Sequence, residues 1–535
     1  MSLRKRWNEE IPVEIRKWGT ANLAPSDPYR VIGEQINDLM SEDDFAFMYS
    51  PRGRGAICPL VLALILVFQA REKIGDRTAA EFAVRRLDWL YALHLPLDWG
   101  GFHHTDLTNF RKRLLTHQAE ALIFEKILDL VRSLGFLRSA QLQRTDSTHI
   151  LSYTEKLGRL ELVCETLRLA LQAITKRAPT WRATAIPEAF VTTYGNRRTT
   201  WQLAADKIPG EMLQVGQDGL WLLAQLDSGA PEELQTLPEV GTLRTVWGQQ
   251  FIPASSEDGI DAIAIKPLPG ARKGKDLIVT PHDRDARWFK KRQTIWVGYK
   301  LQATETIDET AGVQFLTDIE LVAANAGDSE AIAGIQERLI ARDLRPAEHY
   351  VDQGYMSGTN LAESEGRGIE LVGPIGLDTS QKPAGYRQAD FQLDFETHQA
   401  TCPTGHTVPL WLRGDPPGSQ GSMADFKSHC ATCPARALCA PPKGGRTIRP
   451  GPYYAHREAR RAEQQSPAFK ERMKRRCAIE GTISELVRGY GVRQARYRGH
   501  AKVQLQMLFA GAAANLHRLA RAIRLQALTK QYVRA

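Results

Sequence analysis

The sequence predicts an α/β fold of the α+β kind: a mixed sheet flanked by helices, preceded by an all-helical N-terminal domain and broken by two insertions. Three observations predict it. Up to about residue 135, apolar residues recur at spacings of three and four with charges between them, the period of helices. Between Thr294 and Ile375, strand-like runs alternate with helical ones, the order that builds a sheet with parallel members. Four of the seven cysteines fall in one Pro- and Gly-rich stretch, which marks a small separate module.

Taken in order, helices are expected over 57–70, 78–93, 105–116 and 118–133, separated by breakers at Pro51, Gly53, Gly75, Pro96 and Gly100–Gly101. The most apolar run, Ile57 to Phe68, has 12 residues. That is too short to span a bilayer and suits a buried helix. The helix at Thr105–Leu114 carries Arg111, Lys112 and Arg113, for which a phosphate grip and a solvated face are both open. A strand follows at Ala140–Ile150, then a Leu-rich helical region over 155–250 and a poorly periodic stretch from Pro253 to Lys275. Strands return at Thr294–Ile307 and Val313–Ala324, and a helix over 328–342 leads to a short strand at His349–Tyr355. A helix over 357–364 and a strand at Ile369–Ile375 complete the alternation. After the Cys-rich stretch, helices resume over 455–488 and 500–528.

At 535 residues the chain can hold two to four cores. The expected division is 1–135 for the N-terminal helical domain, 136–154 and 276–380 for two parts of the sheet core, and 155–275 for the helical insertion. Residues 381–450 form the Cys-rich insertion, and the basic helices of 451–535 close the core.

Charge is distributed unevenly. From Lys443 onward 21 Lys and Arg face 5 Glu, a net of +16 that leaves −7 on residues 1–442 out of a total of +9. A field concentrated in the last fifth of the chain points to a nucleic-acid partner rather than to general solubility. An odd cysteine count argues against a secreted disulfide framework, and the opening residues show no apolar signal segment. The expected compartment is therefore a reducing cytoplasm, with no membrane partner.

Three carboxylates stand where chemistry is expected. Asp146 sits at the end of the strand-like "LQRTD", Asp352 lies within "HYVDQGY", and Glu480 falls inside the basic cluster "KRRCAIEGTISELVRGYGVRQARYRG". Aspartate is poorly favoured in strands and costly when buried unless paired or metal-bound. Clustered carboxylates repel one another, and divalent cations remove that penalty. Mg²⁺ commonly binds through one or two carboxylates plus phosphate oxygens, and an ion pair of this kind can clamp both oxygens of an in-line displacement. Arg476 and Glu480, four residues apart, also allow a simple helical salt bridge.

On these residues the chain resembles bacterial insertion-sequence transposases of the DDE type, whose catalytic core is ribonuclease H-like. "TPHDRDARWFKKRQTIWVGYKLQATET" is similar to the family's strand before the second Asp, and "YRGHAKVQLQMLFAGAAANLHRL" to its C-terminal helix. The helical N-terminus resembles the domain that precedes the core in this group. The resemblance implies that Asp146, Asp352 and Glu480 are the catalytic residues and hold two Mg²⁺ (or Mn²⁺) ions. It implies double-stranded DNA as substrate, both terminal inverted repeats and target, and a homodimer or larger assembly on it. The family's arginine four residues before the glutamate is Arg476. Its tyrosine three residues earlier is replaced by Met473, and its lysine seven residues after the glutamate by Val487, with Arg488 adjacent. DNA-binding residues are then expected at Arg476, Arg488, Arg493, Arg496, Arg498 and Lys502. Two alternatives stay open: a metal-dependent nuclease without strand transfer, and a catalytically inactive transposase-derived DNA-binding protein.

The 206 positions between Asp146 and Asp352 exceed what a minimal core needs, hence the helical insertion. Cys402, Cys430, Cys433 and Cys439 have the spacing of two knuckles, the second a CxxC, and are expected to hold a structural Zn²⁺. His406 and His429 are possible replacements for one thiolate. Asp283, Asp285 and Asp318 are expected to be structural, and His149 is weighed as a neighbour of the site.

Overall fold

In a computed structural model the described residues are 2–3, 7–154, 156–198, 203–254, 262–268, 274–308, 312–378, 385–414, 422–439 and 444–534. Parts of the poorly periodic stretch (255–261 and 269–273) and of the Cys-rich insertion (381–384, 415–421 and 440–443) lie outside them.

The central sheet is built on five strands, β1 (Leu142–Leu151), β2 (Thr294–Ile307), β3 (Leu316–Ala323), β4 (Glu348–Tyr350) and β5 (Glu370–Val372). β3, β2 and β1 form an antiparallel meander, and β4 and β5 extend it in parallel on the other side of β1. The parallel crossover runs through the helix Asp328–Ala341, and a second helix, Gly358–Gly366, links β4 to β5. This is a mixed sheet flanked by helices, the α/β arrangement that the sequence predicts. β-Branched and aromatic residues dominate β2, as a sheet buried on both faces requires. A further short strand, Arg287–Lys291, pairs with the start of β2.

One hydrophobic core joins the N-terminal helices to this sheet. Leu64 and Phe68 of the helix Pro59–Glu72 belong to the same cluster as Leu301 of β2, Ile319 of β3, and Leu508 and Leu519 of the last helix, His500–Arg534. The run Ile57–Phe68 thus supplies a helix buried on every face from Pro59 to Gln69. No helix among the described residues is long and apolar enough to cross a membrane.

The two insertions each have a core of their own. Helices Arg159–Arg177, Ile208–Gly229 and Pro238–Gln250 enclose Leu167, Val215, Leu222 and Trp247. A hairpin of Phe251–Ala254 with Ala262–Ile265 follows them. The Cys-rich insertion is a small antiparallel sheet of five strands around Phe391, Leu410 and Phe426. The helix expected over 455–488 is three helices, Tyr454–Glu463, Pro467–Cys477 and Ile479–Gly489. The first break is chemical: Pro467 lacks the amide a continuing helix needs, and the Ser466 hydroxyl caps the new start by accepting from Phe469 N at 3.1 Å.

Candidate active site

Asp146 stands near the middle of β1, not at its end, because the strand continues through Ser147–Leu151 opposite Gln302–Gly298 of β2. β4 pairs with β1 only at Gln143 and Arg144. The edge of β1 beside Asp146 is therefore free of strand pairing on that side. One Asp146 oxygen accepts from Ser147 N at 2.7 Å, and the other accepts from Arg476 Nη1 at 3.2 Å.

Asp352 directly follows β4 and caps the turn Gln353–Tyr355 by accepting from Gly354 N at 2.6 Å. Gly354 is needed for this closeness. A Cβ there would stand 3.0 Å from Asp352 Oδ1 and 3.2 Å from Asp328 Oδ2. Asp328, which sequence reasoning passed over, is thus a further carboxylate beside Asp352. Lys300 at 2.9 Å and Gln302 at 3.1 Å anchor it. Its only signal in the sequence is an acidic residue at a helix start, which is commonplace.

Glu480 lies in the first turn of Ile479–Gly489, with its side chain 73% exposed. Arg476 belongs to the preceding helix, so the two are not on one continuous helix, yet their charged groups are 3.9 Å apart. One guanidinium therefore touches both Asp146 and Glu480, and the charge of Asp352 is felt at Asp146. Burial, foremost, and the like charge of Asp352 raise the Asp146 carboxyl above its ordinary value, against Ser147 N–H, Arg476 and Lys291. Asp146 thus lies on β1, Asp352 directly follows its neighbour β4, and Glu480 reaches the guanidinium that Asp146 holds. Even so, no three His, Cys, Asp or Glu side chains among the described residues are placed to hold a metal ion.

The raised carboxyl has a consequence for stability. The folded chain holds the Asp146 proton more tightly than the unfolded chain does. The group is therefore harmless below the ordinary value of 3.8 and destabilises the fold as pH rises through its raised pKa. In chelator, Asp146→Asn is expected to melt above the parent at neutral pH, with the gap closing towards acid. A variant melting lower at neutral pH would show that the Arg476 pair outweighs burial.

The Glu480 helix is fixed by a buried ionic cluster. Glu305 of β2, wholly buried, accepts from Arg144 Nε at 2.7 Å, from Thr482 Oγ1 at 2.5 Å and from Arg518 Nη1 at 3.0 Å. Arg518 also reaches Glu485 at 2.6 Å. Two strands, the Glu480 helix and the C-terminal helix therefore meet on one carboxylate.

The other predicted basic residues have different settings. Arg493 is half-buried and donates to the carbonyl of His149, while its own carbonyl accepts from Leu151 N at 2.8 Å. Arg488 and Lys502 are exposed. Arg496 is exposed and donates to Ile74 O at 2.8 Å, and Arg498 lies over the Tyr153 ring at 5.7 Å. Val487, in place of the family's lysine, packs against the main core. In the N-terminal domain Arg111 turns inward to Asp76 and Arg113 stacks on Tyr49 at 4.1 Å, leaving Lys112 as the exposed member of the three. His149 touches Trp296, with ring centroids 5.2 Å apart.

Asp318 meets Arg338 and Arg342 at 2.8 and 2.7 Å. Among the described residues Asp283 takes no arginine and instead accepts from Ser152 Oγ, Tyr299 Oη and Gly499 N. Asp285 accepts from His500 N at 2.8 Å.

Cys402, Cys430, Cys433 and Cys439 line one small cavity with His406 and His429, whose rings stack at 4.9 Å. All four are free thiols. Thr404 Oγ1 stands 3.1 Å from Cys402 Sγ and 3.8 Å from Cys433 Sγ. Burial raises the Cys439 thiol, and the three other cysteines add to the effect, so all four share one neighbourhood. They do not amount to a metal-holding group, and the expected zinc site is not confirmed.

Two segments of the chain match known families. Residues 20–113 match the transposase domain DUF772, and residues 401–520 match the transposase DDE domain. The second match takes in the four cysteines and Glu480 but neither Asp146 nor Asp352. No curated protein and no solved structure matches. With one transposase domain matched in the N-terminal helices and another running through the Glu480 helix, the chain is consistent with an insertion-sequence DDE transposase.

Proposed function

We propose that the protein cuts DNA phosphodiesters at the ends of a transposable element and joins the freed 3′ ends to target DNA, using divalent metal ions. The observation that carries this reading is that Asp146 and Glu480 share Arg476 while Asp352 follows the strand beside β1, with Asp146 raised by burial and by its neighbour. A carboxylate held at such a cost is what a cation would relieve. The carboxylate oxygens are hard donors suited to Mg²⁺ or Mn²⁺. Bound there, such ions would supply Lewis acidity to the attacking and leaving oxygens. The chain's own part is to orient. β1 and the turn after β4 hold the two aspartates, the Glu305 cluster holds the Glu480 helix, and Arg476 stands ready to pair with a phosphate instead of carboxylates.

Residues 1–135 would act as a helical transposase domain and 136–154, 276–380 and 451–535 as the catalytic core, with 155–275 and 381–450 as insertions. A homodimer or larger assembly on double-stranded DNA, in a bacterial cytoplasm, belongs to the same reading. A DNA substrate carrying the element's ends, incubated with purified protein with and without Mg²⁺ or Mn²⁺, tests it. Metal-dependent cuts with joined products support the transposase, cuts without joining the nuclease, and binding without cuts the inactive DNA-binding protein.

We also propose that Cys402, Cys430, Cys433 and Cys439 close on one structural Zn²⁺ when it is supplied, because the four line one cavity although they are not placed as a metal-holding group without it. Elemental analysis is expected to give one zinc per chain, lost together in a Cys430→Ser, Cys433→Ser variant. Purified protein without zinc would refute it.

A further inference from the structure

The hairpin that precedes β2, "RWFKKRQTIW" from Arg287 to Trp296, belongs to none of the groups above. Lys291 pairs with Thr294, so Arg292 and Gln293 alone make the turn, with Arg292 at φ 56°. At Gly298, φ +150°, a Cβ would stand 2.1 Å from Ile150 O. Only glycine lets β2 pass so close to β1 where the hairpin begins.

Its base is locked. Trp296 is 5% exposed, donates to Tyr299 O at 3.2 Å, and meets both Phe289 and His149 at 5.2 Å. Lys156 covers the Trp288 ring at 5.2 Å. The tip is the reverse: Lys290 through Ile295 are all exposed, and Ile295 is 56% so. Among the described residues Lys290, Lys291 and Arg292 make no ion pair with a carboxylate. Yet the charge of Lys291 is felt at Asp146 and, together with that of Arg493, at His149. His149 ties two basic segments some 200 positions apart together, with its ring against Trp296 at the hairpin base and its carbonyl accepting from Arg493.

We propose that this tip is a DNA-contacting element. Lys290, Lys291 and Arg292 hold the phosphate backbone of the duplex next to the scissile bond, together with Arg493, Arg496 and Arg498. The inference rests on the DNA-cleaving reading and adds to it a contact surface outside the basic C-terminal fifth. Charge complementarity selects the occupant. A polyanion neutralises cations that sit within reach of a carboxylate cluster but pair with none of it. The competing explanation is edge protection, since lysines on an edge strand discourage pairing with another chain. That role needs a lysine in the strand, not three successive cations carried through the turn.

The test is duplex binding across a salt series, read by fluorescence anisotropy, for the parent and for Lys290→Ala, Lys291→Ala, Arg292→Ala combined. Each lost phosphate contact flattens the slope of log affinity against log salt by about 0.9, so a total of up to about 3 is expected. The folded state is checked by circular dichroism. If the triple variant does not fold, the pair Lys291→Gln, Arg292→Gln is expected to flatten the slope by up to about 2. A folded variant with the parent's slope overturns the proposal, and increased self-association with that slope assigns the tip to edge protection. A parent that neither binds nor cuts DNA overturns the transposase reading and this inference together. A parent that cuts, with a variant of unchanged slope, overturns the inference alone.

Discussion

Glu480→Gln is expected to abolish DNA cleavage while leaving the fold intact. The loss should reach at least about a thousandfold, or about 4 kcal/mol of transition-state stabilisation. The carboxamide keeps the size of the side chain but gives up the charge a divalent cation needs. Little stability is at risk, because the side chain is 73% exposed and its only ion pair among the described residues is with Arg476 at 3.9 Å. Surface ion pairs contribute about 0.2–1 kcal/mol. Duplex affinity should stay level or rise, since a negative charge beside the phosphate is removed. Cleavage with Mg²⁺ and Mn²⁺, set beside thermal melts, checks both halves. A variant that melts early and still cuts DNA would show Glu480 to be only the partner of Arg476.

Glu305→Ala is expected to produce the opposite profile, a loss of about 3–5 kcal/mol in stability. Glu305 is fully buried and neutralises both Arg144 and Arg518, which are 6% and 9% exposed. Removing it leaves the Arg144 guanidinium buried without its carboxylate and Arg518 with Glu485 alone. The midpoint of denaturant unfolding measures the effect. Glu305→Gln should lose less, because its single amide oxygen can still accept from Arg144 while its NH2 donates to the Thr482 hydroxyl. An alanine variant as stable as the parent would mean that water reaches the cluster freely.

Elements with strong local signals were legible in the sequence. The strand Thr294–Ile307 coincides with the expected run, and the helix Thr105–Thr116 with its expected span. Both have an unbroken period and clear breakers. The strand expected over Ala140–Ile150 matches β1, but Asp146 was placed at the end of "LQRTD" because Ser147, Thr148 and His149 look like loop residues in isolation. Only their pairing with β2 keeps them extended, and no local pattern carries that information. The Cys-rich stretch hid five strands for a related reason, since most have only two or three residues.

Within the site, the three carboxylates were read from motif and position; Asp146 and Glu480 share Arg476, and Asp352 follows the strand beside β1. Asp328 and the hairpin tip were not found, because their place depends on chain segments folding back from far away. The Glu305 cluster was missed for the same reason: its members are drawn from residues 144, 305, 482, 485 and 518.

That last cluster bears on the order in which the chain matures during synthesis. Arg518 sits on the final helix, and the same helix supplies Leu508 and Leu519 to the core shared with the first helices. The two insertions have cores of their own and can close as soon as they clear the ribosome, as autonomous units do. The main core cannot. Its opening helices must wait, with apolar faces uncovered, for a segment translated roughly 500 residues later. Contacts of such long range are slow to form. Only after them does Arg518 reach Glu305 and lock the helix bearing Glu480. A nascent chain stopped short of its last helix would therefore carry every predicted catalytic carboxylate and still lack an assembled site.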